Sequence, residues 1–172
     1  KNGKVDLTIV RGGKTMQVQV PVGSAHKLLI PELGGTYPSY FIAGPIVFSR
    51  ASAEYLGFAN GTPAVANSLA FLRNPLITQR GEWAGANGRD ELVVISAPFF
   101  PNKLVSGYSN RFGSVVYSIN KVPVKNLAHL VELLRDAKGE QIVIHFDQKG
   151  GETIVLPRKA LLDATDNVLS DN

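Results

Sequence analysis

Residues 91–134, ELVVISAPFFPNKLVSGYSNRFGSVVYSINKVPVKNLAHLVELL, constrain the fold more than any other part of the chain. An apolar strand at 92–96 is followed by a loop ending at Gly107-Tyr108, a second strand at 114–119, a tight turn at 120–124 and a short amphipathic helix opening at Asn126. Asn126 suits an N-cap, because its side-chain oxygen can accept an orphan backbone N–H, and Gly139 suits the C′ position. Between them Leu127, Leu130, Val131 and Leu134 follow the i, i+3, i+4, i+7 spacing of a buried stripe. Asn126, Leu130, Leu133 and Ala137 form a second row beside it. That row either widens the core face or lines a partly covered groove.

Hydrophobic residues make up 44% of the 172 and charged residues 19%, which calls for a packed core rather than disorder. With no cysteine, disulfides, thiolate metal sites and cysteine nucleophiles are excluded together. The net charge of +4 raises the question of nucleic acid, but the basic residues are scattered and no Lys/Arg run alternates with stacking aromatics. No segment approaches the roughly 20 apolar residues of a membrane span. The abrupt start at Lys1-Asn2-Gly3-Lys4, already close to a strand, reads as that of a fragment of a longer protein.

Two β-type runs at 5–10 and 15–22 flank Arg11-Gly12-Gly13-Lys14, a strong hairpin signal. Residues 23–37, with His26, Pro31, Gly34 and Gly35, have the composition of a linker that packs in passing through Leu28-Leu29-Ile30. Residues 38–48 read as a strand interrupted by Gly44-Pro45, and Pro45, lacking an N–H, must sit at an edge or bulge. A long insertion follows to about residue 90. In it Thr62-Pro63 opens a helix through Val65, Ala66, Leu69, Ala70 and Leu72, which Asn74-Pro75 ends. The Gly-rich loop at 79–90 holds the single tryptophan, Trp83, either a binding anchor or, as favoured here, a cap on a hydrophobic edge. Runs at 141–147 and 153–156 predict a second hairpin. Pro157 then introduces a C-terminal helix with Leu161, Leu162, Thr165, Val168 and Leu169 on one side, ending in a polar tail expected to fray.

Catalytic signals are weak. His26, His129 and His145 stand in no metal-ligand spacing. His145 and Asp147 would share one side of a strand, the arrangement of a solvated sheet face more often than of an oriented imidazole. No G-x-S-x-G, P-loop or dinucleotide fingerprint occurs. Asp163 and Asp166 fit a solvent-exposed helix face. No cofactor or metal is expected.

Residues 91–134, with their strand, Asn-centred turn, Pro-Val step and helix, resemble the second half of a PDZ domain from the HtrA/Deg serine proteases. The hairpin within residues 1–22, with its Arg-x-Gly-Lys turn, resembles the last two strands of such a domain. Pro38-Ser39-Tyr40-Phe41-Ile42-Ala43-Gly44, with the downstream strand, Gly107-Tyr108 and Val122-Pro123-Val124-Lys125-Asn126-Leu127, resembles more specifically the atypical C-terminal PDZ-like domain of plant-type Deg proteases and their bacterial homologues. The resemblance implies an α+β, PDZ-like, partly open barrel or sandwich with a groove helix, a helical insertion at about 52–90 and a C-terminal helix. It places residues 1–22 as the end of a preceding PDZ domain, 23–37 as a linker and 38–172 as the PDZ-like domain. The protease motif Gly-Asn-Ser-Gly-Gly is absent, so this chain is expected to be non-catalytic, with a trypsin-like domain upstream.

The implied site is a groove for an extended peptide, an unfolded segment, or another domain or subunit of the same protease. Ile42, Ala43, Gly44, Ile46 and Phe48 would supply its strand side, and Asn126, Leu130, Leu133 and Ala137 its helix side. In this family the loop around the Gly receives a peptide carboxylate through backbone N–H groups; here Ala43 and Pro45 flank Gly44, and Pro45 removes one donor. An intramolecular or intersubunit partner is therefore favoured. The resemblance further implies a homo-oligomeric parent active in protein quality control and, if bacterial, periplasmic or in the cell envelope. The alternative is a small hydrolase or metal-dependent enzyme built on His145, Asp147 and a serine.

Overall fold

The computed structural model describes residues 3–23, 27–57, 61–85, 87–109 and 111–170; His26 lies outside them. β1 (Lys4–Arg11) and β2 (Lys14–Pro21) form an antiparallel ribbon around Gly12-Gly13, both at positive φ as a two-residue hairpin turn requires. Every position of both strands is exposed. The register sets Val5 opposite Val20, Leu7 opposite Val18 and Ile9 opposite Met16, so one face of the ribbon is apolar throughout.

β3 (Tyr40–Ala43) and β4 (Ile46–Arg50) correct the expectation of one interrupted strand. Gly44, at φ +53°, and Pro45 are the two-residue loop of a hairpin in which Ala43 faces Ile46. Glycine at the first loop position followed by a residue with fixed negative φ is the II′ turn chemistry that suits a twisted hairpin. β5 (Val93–Ile95) adds to β4, giving a sheet in the order β3-β4-β5. β6 (Val116–Ile119), β7 (Val122–Pro123), β8 (Gln141–Phe146) and β9 (Ile154–Pro157) make the second sheet, in the order β7-β6-β8-β9. Neither closes into a barrel. They join where β5 meets the approach to β6, through a Val94–Val115 bridge and the Ile95 N–H donating to the Ser114 carbonyl at 3.1 Å.

Among the described residues lie α1 (Pro63–Phe71), α2 (Pro75–Thr78), α3 (Leu127–Arg135) and α4 (Arg158–Ser170). Asn74 both ends the α1 segment, as expected, and caps the unforeseen α2, its Oδ1 accepting the Leu76 N–H at 3.0 Å. Asn126 caps α3 by accepting the His129 N–H at 2.8 Å. Gly139 is not the C′ residue: α3 ends at Arg135 with Asp136 as its cap, and Gly139 is absent from the left-handed glycines. Asn120 and Lys121, at φ +47° and +70°, turn β6 into β7.

The main core gathers Ile46, Phe48, Val93 and Ile95 from one sheet, Ile119, Ile144 and Ile154 from the other, and Leu130 and Leu134 from α3. A second core joins Leu29 and Ile30 of the expected linker to Leu56, Leu76, Leu92 and Val94. The segment bearing β5 is thus buried on both faces, which explains why it reads as an unbroken apolar run. Trp83 is 53% exposed and bridges to Leu28, at the border of that second core.

Candidate functional site

Among the described residues β3 pairs with β4 alone, and the alternation of an antiparallel ladder determines what its other margin offers. Ala43 and Ile46 flank the two-residue loop as a hydrogen-bonded pair, so Phe41 and Phe48 form the next one. The N–H and C=O groups of Tyr40 and Ile42 therefore point away from β4. Among the described residues no backbone partner meets them. Such a margin is a template for another strand.

Beside it lies a cavity of about 290 Å³, small for a ligand site, bordered by Phe41 and Ala43 of β3, Val131 and Leu134 of α3, and Leu161 and Leu162 of α4. Arg135 and Arg158 stand at its border as well. The Arg158 Nε is buried without a hydrogen-bond partner. Arg135 is tied to Asp136 at 2.8 Å.

The expected site residues separate into three groups. Ile42, Ala43 and Gly44 lie on or next to the open margin. Ile46, Phe48 and Leu130 are each 0% exposed, so they support the site from within the core and do not line it. Leu133 and Ala137 border a different depression, together with His129 of α3 and with Ile119 and Val122 on the β6–β7 side, while Asn126 is spent on capping α3. The helical face toward β3 is instead that of Val131, Leu134 and Arg135. The difference has a geometric cause: one step along a helix turns the side chain by roughly 100°, and Val131 and Leu134 each lie one step beyond Leu130 and Leu133 of the expected row.

The turn expected to meet a carboxylate is already engaged. The Gly44 N–H donates to the Thr165 Oγ1 at 2.6 Å, and that hydroxyl donates to the Leu161 carbonyl at 2.8 Å. A Cβ on Gly44 would sit 2.7 Å from the Leu161 Cδ1, so the turn and α4 are in close contact. Leu161 and Ala164 are buried, whereas Leu162 and Leu169 are exposed, a narrower face than the sequence suggests. Sequence reasoning placed Thr165 on the packed side of a helix but had no signal for its bond to a turn 121 positions away.

The residues of the alternative enzyme reading are not assembled. The His145 Nδ1 lies 3.1 Å from the Thr153 Oγ1, and Asp147 accepts from Arg89 at 2.7 Å. No grouping of three metal-ligating residues exists among the described residues, and no helix there is long and apolar enough to cross a membrane. Asp163 and Asp166 are exposed.

Comparison with known proteins gives a match to the PDZ domain family model over residues 31–172. Protease Do-like 2, chloroplastic, of Arabidopsis thaliana is 25% identical over 96% of this chain and 26% of its own length. A serine protease DegP homolog of Plasmodium falciparum is 30% identical over 77% of the chain and 14% of its own length. Putative protease Do-like 11, mitochondrial, of Arabidopsis thaliana is 22% identical over 96% of the chain and 24% of its own length. The chain therefore spans about a quarter of these relatives or less. The two longer alignments take in much of the β1–β2 ribbon, which precedes the span of the family model. The expectation of a periplasmic or cell-envelope location, made for a bacterial source, is corrected, because the two Arabidopsis relatives are named for chloroplast and mitochondrion.

Proposed function

The chain belongs to the PDZ-domain family, and from that premise we propose that it is a non-catalytic interaction module of an HtrA/Deg-type serine endopeptidase, binding an extended segment as an added strand along β3. The single observation that carries this reading is the open margin at Tyr40 and Ile42. Main-chain hydrogen bonds to that margin supply affinity, and the neighbouring apolar cavity supplies selectivity. The guest is a peptide, an unfolded segment, or a loop of another domain or subunit of the same protease. Endopeptidase activity, assembly into a homo-oligomer and a role in protein quality control belong to this proposal for the parent protein.

The β1–β2 ribbon is proposed to be the end of a preceding PDZ domain, with residues 23–37 as linker. Its support is the apolar face of Val5, Leu7, Ile9, Met16, Val18 and Val20, all exposed. A two-stranded ribbon needs another element against such a face.

Ile42→Pro tests strand addition directly. It removes an outward N–H that the β3–β4 ladder does not use, so peptide binding measured by fluorescence anisotropy should weaken at least about tenfold, equivalent to roughly 1.4 kcal/mol, with an unchanged melting temperature. Ile42→Ala should bind nearly as well as the parent chain. Equal binding by Ile42→Pro and the parent would reject the reading.

A further inference from the structure

The geometry points to an internal segment, not a chain terminus, as the guest of this groove, and to one that carries a bulky apolar side chain with an acidic neighbour. We propose this specificity on the basis of three observations at the two ends and the middle of the site; it rests on the strand-addition reading above. At the turn end, the Gly44 N–H is held by Thr165 and Pro45 has no N–H, so neither residue can donate to a terminal carboxylate while α4 is seated. Leu161 also fills the space over Gly44, its Cδ1 standing 2.7 Å from where a Cβ would be. α4 thus occupies the place that a terminal group would need.

In the middle, the cavity of about 290 Å³ between Phe41, Val131, Leu134 and Leu162 is lined by aliphatic and aromatic carbon, with room for one large apolar side chain. At the far end stands Arg158, seven residues before Thr165 on α4 and so roughly 10 Å from it along the helix axis. Its buried Nε lacks a hydrogen-bond partner. A guanidinium at the margin of an apolar cavity favours an anionic acceptor on the guest, because a charge-assisted hydrogen bond offsets the cost of partly desolvating the charge. Arg135 adds positive charge nearby, although Asp136 already engages it. Alternate residues of a strand share a face, so the acidic residue belongs two positions from the apolar one.

Three labelled peptides test this by fluorescence anisotropy on the full chain. The first is blocked at both ends and carries phenylalanine with aspartate two positions away on either side. The second has asparagine for both aspartates. The third stops at the phenylalanine with a free carboxylate. The first should bind at least about tenfold tighter than the third, and about tenfold tighter than the second, the scale of one charge-assisted hydrogen bond. Arg158→Gln should abolish the difference between the first and second. Thr165→Ala, which frees the Gly44 N–H, should narrow the gap between the first and third. Tighter or equal binding of the free-ended peptide, a gap that Thr165→Ala leaves untouched, or indifference to Asp versus Asn overturns the assignment while leaving strand addition standing. Absence of binding by all three peptides overturns both.

Discussion

Neighbouring residues of one helix have separate duties here, and substitutions should distinguish them. Leu130 is fully buried in the main core, so Leu130→Ala should cost about 2–5 kcal/mol in a denaturant melt. Val131 is half-buried beside β3, and Val131→Glu should reduce peptide affinity while leaving the melt nearly unchanged. The apolar spacing from Leu127 to Leu134 made the helix and its core stripe legible. It did not show which flank turns to β3, because that depends on how α3 docks and not on its own period. Asn74 shows a similar limit: Asn-Pro marks a helix end, but its buried amide also donates to the Gly113 carbonyl at 3.0 Å, a partner no local pattern reveals. At the surface, the Glu54 carboxyl is held below its ordinary value by backbone N–H groups, first its own and then that of Leu33. A lowered folded pKa means the Leu33–Glu54 tie is present above the unfolded value of 4.5 and is lost as pH falls through the folded one. The Leu33 amide shift followed by NMR should accordingly titrate with a midpoint below 4.5.

In the proposed reading, the β3–β4 hairpin and its contact with α4 decide what the groove can accept. Tyr40 to Phe48 reads as β from its aromatic and β-branched residues, and Pro45 marks the interruption. The length of the connection decided between bulge and hairpin: two residues at Gly44-Pro45 suffice to reverse the chain. α4 was legible as a helix after Pro157, but its seat on the turn was not, since it rests on a long-range contact with a glycine. Gly44→Ala probes that seat. It combines a positive φ with a Cβ 2.7 Å from the Leu161 Cδ1, so it should destabilise the fold by about 1–3 kcal/mol and loosen α4, seen as faster amide exchange around Thr165.

At the scale of the molecule, the PDZ core and the β1–β2 ribbon are distinct in kind: one has two packed cores, the other an apolar face open along its length. Deleting residues 1–22 should therefore leave the melting temperature within a few degrees of the parent's and reduce binding of a hydrophobic dye. The helix within the insertion and the final hairpin were legible because each is written in local periodicity and turn residues, while the α+β class followed from the family resemblance. The join between the sheets and the closed turn were not, as both arise from contacts distant in sequence. The proposed function turns on whether β3 keeps a free margin. Amide exchange at Ile42, followed by NMR with and without the doubly blocked aspartate–phenylalanine peptide, measures this most directly. Ile42 should exchange fast in the free chain and slow markedly when peptide is bound, while Phe41, bonded to β4, stays slow in both states. Protection of Ile42 without peptide, or exchange that peptide does not alter, would contradict the proposed function.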